Sequence, residues 1–240
     1  MSDPVPYNPL DKWNLDASVA EAMLGRKPHH LSELRSFSGA GIYAIYYAGH
    51  FPAYQKLAEQ NQGNDPAAPI YVGKAIPAGG RKGSVSTGGT TTKALFSRLK
   101  EHAESIKATT NLRVEDFLCR YLVVDDRWIP LGESLLIAKF APIWNRLIDG
   151  FGNHDPGKGR YNGMRPKWDV LHTGRGWAEK CQPRSETAAQ IDREITAHLK
   201  VLNAPRSPHF YAEQTRARYV MTREDDAYRA QARSSDQCGR

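Results

Sequence analysis

The sequence predicts a small α+β domain: a three-stranded antiparallel sheet flanked by helices, with inserted loops and helical extensions at both ends. Three observations predict it. Candidate elements follow one another in the order β, β, α, β, α. The strand candidates are short and rich in β-branched and aromatic residues, whereas the helix candidates space their apolar residues by three and four. Finally, 240 residues of 40% hydrophobic composition, with 5 Trp, 11 Tyr and 7 Phe, suffice for one core and exclude global disorder.

Asp16 caps a first helix that runs through Leu24 and is closed by Gly25. Gly41–Tyr47, reading GIYAIYY, is a buried strand. Phe51–Gln60 forms a short helix inside an insertion, and Ile70–Gly73, after Pro69, is the second strand. Thr92 caps a helix over Lys93–Lys107, in which Leu95, Phe96, Leu99, Ala103 and Ile106 follow helical spacing. Phe117–Val124 is the third strand. The next helix begins at Pro130 or Leu131 and ends at Pro142, whose ring and missing N–H break the hydrogen-bond ladder. Ser185–Leu202 is an amphipathic helix. The predicted organisation is a helical extension over 1–40, a core over 41–150 with insertions at 48–69 and 74–92, a basic loop with a helical extension over 151–223, and a tail expected to be disordered over 224–240.

Composition narrows the function classes. No apolar run approaches the ~18 residues of a membrane span. Lys139 interrupts the best candidate, Leu135–Trp144. Met1–Leu10 is polar and rich in proline, unlike a signal peptide. Cys119, Cys181 and Cys238 lie far apart without C-x-x-C spacing, which argues against a disulfide framework or a cysteine zinc site and fits a reducing cytoplasm. The net charge of +7 is concentrated. Residues 74–100 carry six cations and no anion, and residues 158–184 carry seven cations against two anions. Both stretches are loop-like and rich in glycine, and the first adds many hydroxyls, which suits a phosphate backbone as partner.

Five further features stand out: Tyr43 in Gly41-Ile42-Tyr43, Tyr71 in Tyr71-Val72-Gly73, Arg98 with His102 on one helix face, Glu133 early in an apolar helix, and Asn145 after Ala141-Pro142-Ile143-Trp144. Each alone has an ordinary structural reading as core packing, exposed charge or helix cap. As an ordered set they resemble the GIY-YIG nuclease family, which is named for the two tripeptides. The family pattern also asks for an arginine on the following helix, a His or Tyr one turn on, a glutamate on a later helix, and a nearby asparagine. The resemblance covers Gly41 to Asn145, with valine in place of isoleucine in the second tripeptide and with the two insertions as departures. Gly150–Gly157 and Trp168–His172 resemble the type II restriction subgroup that cuts CCGCGG.

The resemblance implies metal-dependent phosphodiester hydrolysis of double-stranded DNA to 5′-phosphate and 3′-hydroxyl ends. Glu133 would hold one divalent cation per active site, Mg²⁺ with Mn²⁺ able to substitute, since one carboxylate plus waters is a usual way to hold Mg²⁺. Arg98 would bond the phosphate, and Tyr71 would position phosphate or water. Tyr43 and His102 are competing candidates for the general base. Asn145 would orient Glu133 or tie its helix to the core. Lys74 either lowers a tyrosine pKa or is a surface lysine at a strand end. Lys74, Arg81, Lys82 and Lys93 in the first basic stretch, with Arg160, Arg165, Lys167 and Arg175 in the second, are the expected DNA contacts. Arginine to guanine suits a G·C-rich site. Cutting both strands of a palindrome implies a homodimer. A restriction role implies a cognate methyltransferase in the host, with no direct contact. The competing readings are a structure-specific repair or homing nuclease on the same domain, and a non-catalytic DNA-binding protein. Intact Tyr43, Arg98 and Glu133 argue against the last.

Overall fold

The computed structural model describes residues 8, 10–77, 92–157, 159 and 161–202. The elements are α1 (Lys12–Leu24), β1 (His29–His30), β2 (Gly41–Tyr47), α2 (Gln55–Glu59), β3 (Pro69–Ala75), α3 (Ala94–Lys107), β4 (Phe117–Val123), α4 (Ile129–Phe140), α5 (Ile143–Arg146), α6 (Lys167–Leu171) and α7 (Ala188–Leu202). Contacts divide the chain into two compact units, residues 1–197 and 198–240. The expected disordered tail, 224–240, lies outside the described residues.

The sheet has four strands rather than the expected three, in the order β1-β4-β2-β3 and antiparallel throughout. The added strand is only two residues long, with His29 opposite Cys119 and His30 opposite Leu118. Such a strand leaves no alternation in the sequence, so it carried no signal. β2 is central and wholly buried, as a continuous apolar and aromatic run predicts. Its Gly41 has a φ of +157°, and a Cβ there would collide with the Leu122 carbonyl of β4. The first tripeptide therefore needs glycine for close strand approach.

The two faces of β2 bury different cores. Ile42, Ala44 and Tyr46 join Ala20 and Met23 of α1, Ile129 and Leu136 of α4, and Val72 of β3. Each large apolar side chain buried there contributes about 1.5–3 kcal/mol. The other face is aromatic: Tyr47 meets Tyr54 at 5.5 Å and Phe117 at 4.9 Å, and Trp144 reaches Phe151 at 4.4 Å and Trp168 at 5.6 Å.

The 48–69 insertion is knitted to the sheet. Asn61 donates to the carbonyls of Tyr47 at 2.9 Å and Ala68 at 2.8 Å, and accepts from the Ala68 N–H at 2.9 Å. The fully buried Arg120 of β4 donates to the Arg26 carbonyl at 2.6 Å, to the Pro66 carbonyl and to Asp65. α4 ends as expected before Pro142, with Ala141 the only non-glycine residue of positive φ among the described residues.

Candidate active site

Adjacent strands and the flanking helices bring the predicted catalytic residues together. In the register of the sheet Tyr43 lies opposite Gly73. A Cβ at Gly73 would overlap the Tyr43 hydroxyl, so the glycine of the second tripeptide makes room for the tyrosine of the first. The Tyr43 ring lies 6.3 Å from that of Tyr71 and 5.4 Å from that of His102 on α3. The Tyr43 hydroxyl and His102 Nε2 share a buried hydrogen bond of 2.6 Å. Burial is the main cause of both pKa shifts here. It pushes Tyr43 well above the usual tyrosine range, with neighbouring Tyr71 acting the same way and Arg98 opposing. It pushes His102 well below the usual histidine range, helped by the charge of Arg98. Both groups are therefore neutral at pH 7.

Arg98 and Tyr71 are only partly covered and lie closer to solvent. Arg98 donates from Nη1 to Glu101 at 2.9 Å and from Nη2 to the Gly152 carbonyl at 2.6 Å. Burial raises the Tyr71 pKa against the opposing charge of Arg98, with Glu133 adding to the rise. The Glu133 carboxylate thus lies close enough to be felt by both tyrosines. Its Oε2 is 2.5 Å from Lys74 Nζ, and the two side chains are 18% and 37% exposed. Lys74 is therefore the counter-ion of Glu133.

Asn145 plays a structural part at the free edge of the sheet. Its amide accepts from the Val72 N–H and donates to the Val72 carbonyl, both at 2.8 Å. An edge strand leaves such groups unpaired, and this one side chain satisfies both. It fixes β3 between Tyr71 and Gly73 and ties α5 to the sheet.

Among the described residues there is no group of three or more His, Cys, Asp or Glu placed to hold a metal. A single half-buried carboxylate with a displaceable ammonium partner matches the few-ligand binding of Mg²⁺ and not a zinc cage. The donor set would suit the expected cation, which Glu133 would hold.

The expected DNA contacts divide. Arg81, Lys82 and Arg160 lie outside the described residues. Lys93 is exposed at the start of α3. Arg165 donates to the carbonyls of Ala178 and Glu179, both at 3.0 Å, and Lys167 pairs with Glu194 at 3.0 Å. Arg175 departs from the expectation. It is 5% exposed and pairs with Asp169, itself 3% exposed, so in this structure it faces protein rather than DNA. The region is a folded segment and not the predicted basic loop: Trp168 is fully buried on α6.

A second buried pair escaped the sequence. Tyr54 and His172 share a hydrogen bond of 2.6 Å across 118 residues of sequence. An open groove of about 720 Å³ runs beside α3, bordered by Arg98, His102, Phe151, His154 and Trp177.

A three-strand core crossed by α3 and α4, with Tyr43, Tyr71, Arg98, His102 and Glu133 converging at one edge, defines a GIY-YIG nuclease domain. The family model described as the Eco29kI GIY-YIG domain matches residues 35–199. The chain belongs to that family. None of the curated proteins compared with it matches.

Proposed function

We propose that the chain is a site-specific double-strand DNA endonuclease of the type II restriction kind. It hydrolyses one phosphodiester per active site, leaves 5′-phosphate and 3′-hydroxyl ends, and acts at a G·C-rich palindrome such as CCGCGG. The observation that carries this reading is the 2.6 Å bond between Tyr43 and His102, set beside Arg98 and the Glu133 carboxylate. It supplies a proton acceptor, a phosphate-binding cation and a metal ligand within one edge of the sheet.

With both groups neutral and the His102 proton on Nδ1, the Tyr43 hydroxyl donates to His102 Nε2. Tyr43 can then take a proton from the attacking water while its own proton passes to the imidazole. This makes Tyr43 the base and His102 its proton store, since His102 is itself buried. Glu133 would hold Mg²⁺, or Mn²⁺ in its place, after parting from Lys74. A cation there supplies Lewis-acid stabilisation of the phosphoryl oxygens and a more acidic water. Arg98 presents Nη1 to the same oxygens as negative charge builds. Asn145 keeps Tyr71 and Gly73 in register.

One catalytic set cuts one strand, so a two-fold palindrome calls for a homodimer. Arg81, Lys82, Lys93 and Arg160 are the cations proposed for DNA. Substituting Arg81 and Lys82 by alanine should lower the salt dependence of binding. A cognate methyltransferase is expected in the host. The reading is tested by digesting a plasmid rich in palindromes with Mg²⁺ or with EDTA. Discrete bands with Mg²⁺ alone are expected. Smeared products, or cutting only at branched DNA, would favour a repair nuclease. Salt-sensitive binding without cleavage would favour a binding protein.

A further inference from the structure

The segment Gly150–His154 has no part in the reaction as described, yet it touches the catalytic residues at several points. The Phe151 ring stacks on His102 at 4.5 Å and 18°, and meets Tyr71 edge-on at 5.0 Å. The Gly152 carbonyl accepts from Arg98 Nη2 at 2.6 Å. His154 Nε2 accepts from Nη1 of the same guanidinium. The approach leaves no room for a side chain, because a Cβ at Gly152 would lie 2.7 Å from the Tyr71 hydroxyl and 3.3 Å from Arg98 Nη2.

The segment is held from behind by one buried side chain. Arg175 donates to the carbonyls of Gly150 at 2.9 Å, Phe151 at 3.1 Å and Asn153 at 3.1 Å. It also donates to both carboxylate oxygens of Asp169, at 2.7 and 2.6 Å. All five guanidinium N–H groups are engaged. Its plane lies 4.5 Å from the Trp168 ring and 4.8 Å from that of Trp177. A rigid fork bonded at five points fixes the carbonyls it binds, and with them the groups that face Arg98.

We propose that Gly150–His154, locked by the Arg175–Asp169 pair, is the device that positions Arg98, with His154 the side chain that aims Nη1. The inference rests on the nuclease reading of the same site. Nη2 gives one N–H to the Gly152 carbonyl, and Nη1, which bonds the exposed Glu101 carboxylate, is taken as the end that meets substrate. In this structure its two N–H groups go to Glu101 and His154. A phosphate oxygen replaces the Glu101 carboxylate, and His154 keeps the other N–H and so the plane of the guanidinium. His154 and Arg175 are positioning residues acting through Arg98.

Two readouts on the full-length protein test this. In DNA cleavage with Mg²⁺, His154→Ala should lower kcat by roughly 10-fold with KM for DNA unchanged, as expected when a reacting group is misaimed. His154→Gln, whose amide oxygen can accept the same bond, should restore most of the rate. Arg175→Lys should lower kcat in the same way, and Gly152→Ala serves in its place if that variant does not fold. The second readout needs no activity: NMR of the Arg98 guanidinium. Slow rotation about Nε–Cζ is expected in the wild type, faster rotation in His154→Ala, and slow rotation again in His154→Gln. Unchanged kcat and unchanged rotation in His154→Ala would overturn the proposal. If the wild-type protein fails to cut DNA, the nuclease reading falls, while the rotation comparison still decides the positioning role.

Discussion

Among the described residues are two buried tyrosine–histidine pairs with the same bond length, Tyr43–His102 and Tyr54–His172, each at 2.6 Å. Their surroundings differ. Around Tyr54 the hydrogen bonds run through neutral groups: Trp144 Nε1 donates to its hydroxyl at 3.0 Å, and its hydroxyl donates to His172 Nε2. His172 Nδ1 in turn donates to Asn111 Oδ1 at 2.9 Å, whose amide donates to the Leu171 carbonyl. That chain ends in neutral partners and crosses between the 48–69 insertion, α5 and the segment after α6. Around Tyr43 the neighbours are charged: Arg98, Glu133 and, through Glu133, Lys74. The same pair can serve cohesion where its hydrogen-bond partners are neutral. It can serve proton transfer where a cation and a carboxylate stand beside it.

The comparison can be broken at its charged neighbours first. Glu133→Ala should lower cleavage by about 10³-fold or more while leaving DNA binding largely intact, because it removes the proposed metal ligand. Single-turnover cleavage and a binding titration together check this. Arg98→Lys keeps the charge but loses the fork, and should cost roughly 10²-fold in kcat at unchanged thermal stability. Asn145→Ala strands the Val72 N–H and carbonyl at the sheet edge, at about 1–3 kcal/mol of stability by denaturant unfolding.

The smallest effect sharpens the likeness between the pairs. Burial depresses His102 well below the usual histidine range and His172 to about 3. The unfolded chain protonates these histidines below the ordinary histidine pKa while the folded protein does not. Their stabilising contribution is therefore complete above pH ~6.5 and is lost as pH falls, through the window down to about 3 for His172. His172 contributes a slope of about 1.4 kcal/mol per pH unit there, and His102 acts in the same direction. His172→Gln should reduce the slope of stability against pH by about one such unit, measured by urea unfolding from pH 6 to pH 4.

Much of the catalytic set was legible because its signals are local. GIYAIYY announces a buried strand, Arg98 and His102 are one helical turn apart, and Pro142 marks the end of α4. The ordered motif then says which of these strands and helices meet. What the sequence hid depends on long-range partners. Arg175 reads as one more cation in a glycine-rich stretch, and only the fold shows Asp169 and three carbonyls closing around it. Tyr54 and His172 lie 118 residues apart, and although His172 ends the Trp168–His172 stretch, nothing in the sequence pairs it with Tyr54. Of the two roles expected for Asn145, orienting Glu133 or tying its helix to the core, the hydrogen bonds to the edge strand fit the second, and the sequence does not name Val72 as the partner. Buried polar partners are chosen by three-dimensional packing, and one sequence contains no period that points to them.

The central claim is that only one of the two pairs takes part in chemistry. Tyr43→Phe and Tyr54→Phe, compared in cleavage rate and in thermal unfolding, test it most directly. Tyr43→Phe should lose at least about 10²-fold in cleavage, measured below its melting range, in addition to the stability lost when the buried His102 Nε2 is left without its partner. Tyr54→Phe, which leaves Trp144 and His172 without their shared partner, should lose about 1–3 kcal/mol of stability and keep its cleavage rate below its melting range. Equal losses of activity from both variants, or full activity in Tyr43→Phe, would contradict the account.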